Sequence, residues 1–474
     1  MTLGVNLASL LFDHPFGDDQ GLLYGVDDEV TAGGARVRSA ALAEELLTSG
    51  IAPGQSVAVQ LPNGPNVVIA MTAIWRAGAV FIPVNPRLTE NETADVIRAT
   101  RPAVRIGPDG MERLSGTRTF EAGTAFILWT SGTTGAPKPI LHTHEGYLEL
   151  IDRVLGPLRA GSVSSDRAPS PNLIPVSLSL NAGIYNALFG LRAGAPLVIM
   201  DAFDVSTFAH LVARFQIRST VLPPAALTML TDAGGVTDLE PLKYVRSITA
   251  PLSPLQARRF TNKFGVFVLN GYGQAEIGEV VGWTAADAKA HPEKVGAAGR
   301  AHPGVDLKLM DGPVALGVEK VGELLVRPPS MAAGYASDDE LADRLDPEGF
   351  LHTGDLARID ADGFVWIEGR MGDLINRGGN KVFPEHVEEV LRLSPAVGDA
   401  AVVGIPDDRL GEVPVAFVVT TGDVEDAELE ALCRLHLTAY KVPVLFVRVA
   451  TLPRSEAGKV LRRQLVAGYR TSLA

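Results

Sequence analysis

Residues Leu128-Trp129-Thr130-Ser131-Gly132-Thr133-Thr134-Gly135-Ala136-Pro137-Lys138 crowd two glycines, four hydroxyls and a lysine behind a short apolar run, Ala125 to Trp129. Glycine lets the backbone turn so that amide N–H groups converge on one point. The hydroxyls of Thr130, Ser131, Thr133 and Thr134 add donors, and Lys138 adds a positive charge. A loop built this way holds a phosphate. It departs from the common P-loop, which needs Gly-x-x-x-x-Gly-Lys followed by Ser or Thr. Here Gly132 and Gly135 are closer together, and Lys138 lies between Pro137 and Pro139. Composition alone also describes an ordinary polar surface turn.

Four more segments follow in one order along the chain. They are Gly271-Tyr272-Gly273-Gln274-Ala275-Glu276, His352-Thr353-Gly354-Asp355, Gly369-Arg370-Met371-Gly372-Asp373 and Pro453-Arg454-Ser455-Glu456-Ala457-Gly458-Lys459. With the first segment they resemble the adenylate-forming enzymes: acyl-CoA synthetases, amino-acid adenylation domains and beetle luciferases. The resemblance covers nearly the whole chain and is closest in character to the acyl-CoA ligases.

A carboxylate is a poor electrophile because its leaving group would be oxide. The resemblance implies that ATP converts it to an acyl-AMP with loss of pyrophosphate, after which a pantetheine thiol attacks. Both transition states spread negative charge, so the site needs placed donors, a cation and a metal. On that reading Thr130, Ser131, Gly132, Thr133, Thr134 and Lys138 hold the phosphates, and Thr134 is a catalytic group. Glu276 is catalytic and takes Mg²⁺, which prefers carboxylate and phosphate oxygens. Tyr272 stacks beside adenine, within a nucleotide wall of Thr249, Ala250, Asn270, Gly271, Gly273, Gln274 and Ile367. Asp355 accepts the ribose hydroxyls, since a carboxylate suits a cis-diol. Arg370 reaches the ribose or phosphates. Lys459 comes from a small domain to touch the carboxylate and α-phosphate as the third catalytic group; a lysine supplies a mobile point charge. That domain then rotates near Gly372, and Gly378 and Gly379 leave room for the pantetheine arm of coenzyme A or of a carrier protein. The partners expected are therefore ATP/AMP, Mg²⁺, a carboxylic acid or its acyl-AMP, and CoA or a carrier.

Three departures from the family pattern matter. Leu180 stands where an aromatic or histidine often guards the acyl pocket. Thr249 replaces a glycine in Ile248-Thr249-Ala250-Pro251, and Pro139 follows Lys138 where glycine is usual. Proline removes an N–H donor and stiffens the loop. These keep two alternatives open: an enzyme that only transfers a preformed acyl-AMP to a thiol, and a non-catalytic acyl-adenylate or nucleotide-binding protein. The expected acid pocket comprises Leu180, Ile184, Tyr185, Ala225, Met229, Leu252, Ile277 and Val281, with Trp283 at its far end. These mostly apolar residues predict a hydrophobic, alicyclic or aromatic acid. Asp204 reads as a helix N-cap rather than a partner for an α-amino group.

The elements that must position these groups alternate. A helix over 36–49 stops at Gly50; strands are predicted over 56–61 and 79–84 with a buried helix over 66–77 between them. Strands near 197–200 and 219–222 flank a helix over 206–215, and another helix starts at Pro224. This alternation indicates an α/β fold with mostly parallel sheets. Residues 107–123 read as an irregular surface connection. From about residue 300 strands and turns take over, Asp362-Gly363 making a hairpin turn, and the resemblance implies a distorted β-barrel-like subdomain there. The resemblance places the boundary between a large N-terminal AMP-binding domain, 1–369, and a small mobile C-terminal α+β domain, 370–474. In the latter, Pro384 opens a helix with Glu385, Glu388 and Glu389 near its positive end.

The chain of 474 residues has room for two or three domains and a large core. Its formal charge of −13 argues against nucleic acid or an anionic membrane as partner. With one cysteine, Cys433, no internal disulfide can form, which fits a reducing, cytoplasmic setting. No signal peptide is read, nor any apolar run approaching the roughly 18 residues of a membrane span. The oligomeric state leaves no readable trace, and a homodimer is allowed.

Overall fold

The computed structural model describes residues 5–129, 138–160, 169–336, 341–455 and 458–473. Among these, a seven-stranded sheet has the order Gly334–Tyr335, Pro139–Thr143, Thr124–Trp129, Val80–Pro83, Ser56–Val59, Val104–Gly107, Gly110–Arg113. Its centre is parallel and its edges antiparallel. Pro65–Arg76 covers it as a helix with proline at its start, and the chain turns at Gly78, φ +73°. Nearly every side chain of that helix is buried, which explains its unbroken apolar run. Trp75 on it donates its indole N–H to the Ala125 carbonyl at 2.7 Å. That bond pins the buried strand Thr124–Trp129, whose end leads directly into the Thr130–Lys138 segment.

A nine-stranded sheet runs Arg300–Ala301, Gly278–Gly282, Phe267–Gln274, Tyr244–Ser247, Ser219–Leu222, Asn172–Ile174, Leu197–Ile199, Gly21–Tyr24, Glu29–Thr31. It too is parallel inside and antiparallel at both edges. The strand Phe267–Gln274 does two jobs. Its first half pairs in parallel with Tyr244–Ser247, and its second half pairs antiparallel with Gly278–Gly282 across a register shift at Tyr272/Gly273. A Cβ on Gly273 would lie 2.0 Å from the Gly278 carbonyl oxygen, so only glycine permits this approach.

The third sheet, Val314–Leu316, Asp306–Asp311, Val321–Arg327, Leu351–Ile359 and Val365–Arg370, is fully antiparallel. Among the described residues it is an open sheet and not a closed barrel. Val365 bridges Gly299 instead of returning to Val314–Leu316. Asp362-Gly363 does turn a hairpin, with Gly363 at φ +81° and Asp360 N–H donating to Phe364 O at 2.9 Å. The connection after residue 107 is more regular than expected: Val104–Gly107 and Gly110–Arg113 form a hairpin. Its polar, exposed second strand carries no hydrophobic alternation to betray it.

Past Arg370 a separate core of Ile375, Val387, Val402, Leu429 and Cys433 holds strands Val397–Asp407, Gly411–Thr420 and Leu445–Arg448 against helices Pro384–Leu391 and Asp426–His436. It docks on the large lobe through His386 Nε2, 2.8 Å from Glu368 Oε2, with Arg358 at 3.4 Å on the other carboxylate oxygen. The acidic first turn at 385–389 does more than oppose a dipole. Arg462 bonds Glu385 at 3.1 Å and Glu388 at 2.7 Å, while Glu388 accepts the Val402 N–H. Burial raises the Glu385 carboxyl above its usual range, with Arg462 opposing. No helix among the described residues is long and apolar enough to cross a membrane.

Candidate active site

A cleft of about 1600 Å³ opens between the nine-stranded sheet, the antiparallel sheet and the small domain. Asp355, on the long strand Leu351–Ile359, lies buried at one end. Its Oδ1 accepts from Arg370 Nε at 2.7 Å. Its Oδ2 accepts from the Tyr272 hydroxyl at 2.7 Å and from Gln274 Nε2 at 2.8 Å. Those partners come from two neighbouring sheets, and the antiparallel pairing Asp355↔Arg370 sets one of them opposite the carboxylate. Burial and the adjacent carboxylate push the Tyr272 phenol well up, so it remains a donor at neutral pH.

Glu276 follows at the turn between Phe267–Gln274 and Gly278–Gly282. Its Oε1 accepts from the Tyr335 hydroxyl at 2.9 Å and from Arg344 Nη1 at 2.6 Å. The Lys138 ammonium sits 5.4 Å over the Tyr335 ring. A divalent ion that takes its other ligands from phosphate and water needs one or two carboxylates. Glu276, buried and lining the same cleft as Lys138, can supply one such carboxylate.

Lys459 enters from the small domain and lines the cleft with Asp355, Arg370 and Glu276. Burial, reinforced by Arg370, lowers its pKa below that of an ordinary lysine, while Asp355 and Glu276 pull the other way. Thr249, Ala250, Asn270, Gly271, Gly273 and Ile367 also line the cleft. Gly378 and Gly379, at φ +57° and +85°, form the turn of the Ile375–Arg377/Asn380–Val382 hairpin, and the cleft lining does not include them. Thr130, Ser131, Gly132, Thr133 and Thr134 lie outside the described residues.

The chain belongs to the AMP-binding enzyme family. That family matches residues 16–119 and 119–336, and the AMP-binding enzyme C-terminal domain matches 386–459. The chain is 31% identical to 4-coumarate–CoA ligase-like 9 of Oryza sativa subsp. japonica, over 90% of this chain and 85% of the relative. It is 30% identical to 2-succinylbenzoate–CoA ligase of Bacillus cereus, over 93% and 94%. Among solved structures it resembles ATP-bound MatB from Rhodopseudomonas palustris, with a TM-score of 0.87 and 25% identity over 98% and 99% of the two chains. The family's two-lobe architecture, a large N-terminal and a small C-terminal part, is thus also that of this chain.

The residues expected to hold the acid are only partly brought together. Leu180, Tyr185, Ala225 and Leu252 line it. Ile184 is instead fully buried in the core of the large lobe, and Ile277 and Val281 in the core beneath the antiparallel sheet. Met229 points to solvent, 48% exposed. Helical and strand periodicity turns Ile184, Met229 and Val281 away from the face that bears their neighbours, and Ile277 tucks inward from the turn between Phe267–Gln274 and Gly278–Gly282. Trp283 donates to the Ala297 carbonyl and packs on Phe364, outside the lining.

Beside these apolar residues the cleft wall carries a carboxylate, Glu279, backed by two basic partners outside the lining. Glu279 lines the cleft, pairs with Arg246, and has His302 Nε2 3.0 Å from Oε1. Burial alone would raise the Glu279 carboxyl; Arg246 and His302 outweigh it and hold it below its usual value. Arg246 carried no motif, and only its place two residues before the Ile248-Thr249-Ala250-Pro251 turn ties it to the site. Arg344 was equally invisible: it belongs to the short turn Leu341–Arg344, far in sequence from Glu276.

Proposed function

We propose that the chain is an AMP-forming acid–thiol ligase that activates a carboxylic acid as its acyl-AMP and passes the acyl group to a pantetheine thiol. The observation that carries this reading is the convergence of Asp355, Arg370, Glu276 and Lys459 from both lobes on one cleft. Asp355 would bind the ribose diol, exchanging its Tyr272 and Gln274 donors for sugar hydroxyls or sharing with them. Lys138 and the segment before it would hold the departing pyrophosphate. Glu276 would hold Mg²⁺, which when bound supplies charge neutralisation at the phosphates. Lys459 would place its ammonium between the acid's carboxylate and the α-phosphate, opposing the charge that develops as the mixed anhydride forms.

The small domain, 370–474, would then rotate about Gly372, withdrawing Lys459 and bringing the Gly378-Gly379 turn to the cleft for the pantetheine arm. Glycine at the hinge permits the change while fixing neither end state. The acid has an apolar body, set by Leu180, Ala225 and Leu252, and a polar distal group that meets Tyr185 and the Arg246–Glu279 pair. An acid that is hydrophobic throughout would leave the buried Tyr185 hydroxyl without a partner.

The test is a carboxylic-acid panel read by ATP–pyrophosphate exchange, then by thioester formation with CoA. Exchange driven by acids, followed by thioesters, is expected. Thioester formation from supplied acyl-AMP without any exchange would replace this reading with that of a transfer enzyme. Nucleotide binding with neither reaction would leave a binding protein. A carrier protein outcompeting free CoA would reassign the acceptor alone.

A further inference from the structure

Arg344 makes four bonds at the foot of the cleft. Its Nη1 donates to Glu276 Oε1 at 2.6 Å and to the Tyr335 hydroxyl at 3.0 Å. Its Nη2 donates to Gln274 Oε1 at 3.1 Å and to the His352 carbonyl at 2.9 Å. Gln274 in turn donates to Asp355. One guanidinium therefore spans the carboxylate at the phosphate end and the amide that steadies the carboxylate at the ribose end. It also shares Tyr335 with Lys138: the guanidinium meets the phenol oxygen and the ammonium lies over the ring. Two cations flank one tyrosine beside the expected path of the pyrophosphate.

Glu276 and Arg344 neutralise each other as they stand. A guanidinium is planar, permanently charged and matched to two oxygens of a phosphate. It is 31% exposed and lines the cleft, so an anion can reach it. We propose that Arg344 is a pyrophosphate-binding cation held in reserve by Glu276, turned to the leaving phosphates when that carboxylate is claimed by another cation. The inference rests on the adenylate-forming reading above. It adds to it a residue that exchanges partners during the cycle: an internal ion pair keeps the charge ordered and compensated until the triphosphate arrives.

The experiment measures equilibrium binding of inorganic pyrophosphate and of AMP, in buffer with EDTA, to wild type, Glu276→Gln and Glu276→Gln/Arg344→Met. Freeing Arg344 in the single variant should tighten pyrophosphate about tenfold, the size of a charge-assisted bond. The double variant should return to wild-type affinity or below. AMP binding should remain measurable in each variant, which reports that it is folded, and the pyrophosphate change is read as a ratio to AMP affinity in the same variant, so that loss passed through Gln274 to Asp355 is divided out. Pyrophosphate bound no tighter by Glu276→Gln overturns the proposal. So does a gain that survives in the double variant, since it would then come from removing the carboxylate's charge alone. Wild type that binds neither AMP nor pyrophosphate would overturn the adenylate reading itself, a distinct result.

Discussion

The two ends of the cleft are built on opposite principles. At the ribose end every acceptor of Asp355 is engaged: three donors from two sheets reach one carboxylate, and Thr353 caps its backbone N–H at 3.1 Å. At the acid end, among the described residues, the hydroxyls of Tyr185 and Thr249 are buried without a partner. Tyr185 lies close enough to Glu279 for that carboxylate, after burial, to raise its phenol. Satisfied networks rigidify; orphaned polar groups cost free energy until something meets them. On the proposed reading, the contrast separates a part every adenylation needs in one shape from a part whose complement is the substrate.

The largest effect should come from Lys459→Ala. Removing a cation aimed at developing charge should slow ATP–pyrophosphate exchange about 1000-fold, while thioester formation from supplied acyl-AMP stays within a few-fold. Wild type should also lose exchange activity as pH rises, because in the proposed role the ammonium is the working form and burial beside Arg370 lowers its pKa in the free enzyme. The alkaline limb in kcat/KM should therefore fall below the pH at which an ordinary lysine titrates. A limb at the ordinary lysine position, or one that persists in Lys459→Ala, would remove the lysine from that role.

Next in size is Asp355→Ala at the ordered end. It removes the proposed diol acceptor and strands Arg370 and Tyr272, so AMP affinity should fall about 100-fold by calorimetry. Acid selectivity, scored as the ratio of kcat/KM values, should not move. A change in that ratio would show that the two ends are not separable.

This division also decides what could be read from the chain alone. Tyr272, Gln274, Asp355 and Arg370 stand in local strings whose glycines and spacings have few uses, so their joint placement was legible. The alternating apolar runs at 56–59, 65–76 and 80–83 were legible as well, because burial on both faces leaves no other pattern. The pocket was not. Which of Ile184 and Tyr185 faces a cleft depends on the rotation of the helix Asn181–Ala193 against its neighbours, not on its composition. Arg246 and Glu279 meet beside Gly282, where a Cβ would lie 2.5 Å from the Glu279 carboxylate. That space exists in three dimensions and leaves no local signature. The open third sheet is a similar case, since whether its edges close depends on long-range pairing.

The polar floor makes a smaller, sharper prediction. Arg246→Leu alone would leave Glu279 buried against His302 only, so Glu279→Gln should accompany it. For this pair of changes, preference for an acid with a distal hydroxyl or carbonyl over its unsubstituted analogue should drop about tenfold. AMP affinity should hold. An unchanged ratio would mean that the acid stops short of Arg246.

Thr249 gives the smallest effect and the most direct probe of the acid end. It sits at φ +77°, a left-handed conformation that costs a β-branched residue about 1–2 kcal/mol. Its hydroxyl is also buried and unpaired among the described residues. Thr249→Gly removes both penalties, against a gain in unfolded-chain entropy of about 0.5–1 kcal/mol. The balance should stabilise the protein by about 1 kcal/mol, visible as a shift in the denaturant midpoint at unchanged slope. The missing side chain should at the same time widen the cleft beside Ala250, so KM for larger members of the panel should fall by more than KM for ATP changes. Strain kept at this one position, where relief would widen the pocket, is what a threonine serving as the pocket's wall would show. If Thr249→Gly destabilises the chain and leaves the acid profile untouched, the residue is neither strained nor a wall, and the acid end is as rigidly complete as the ribose end.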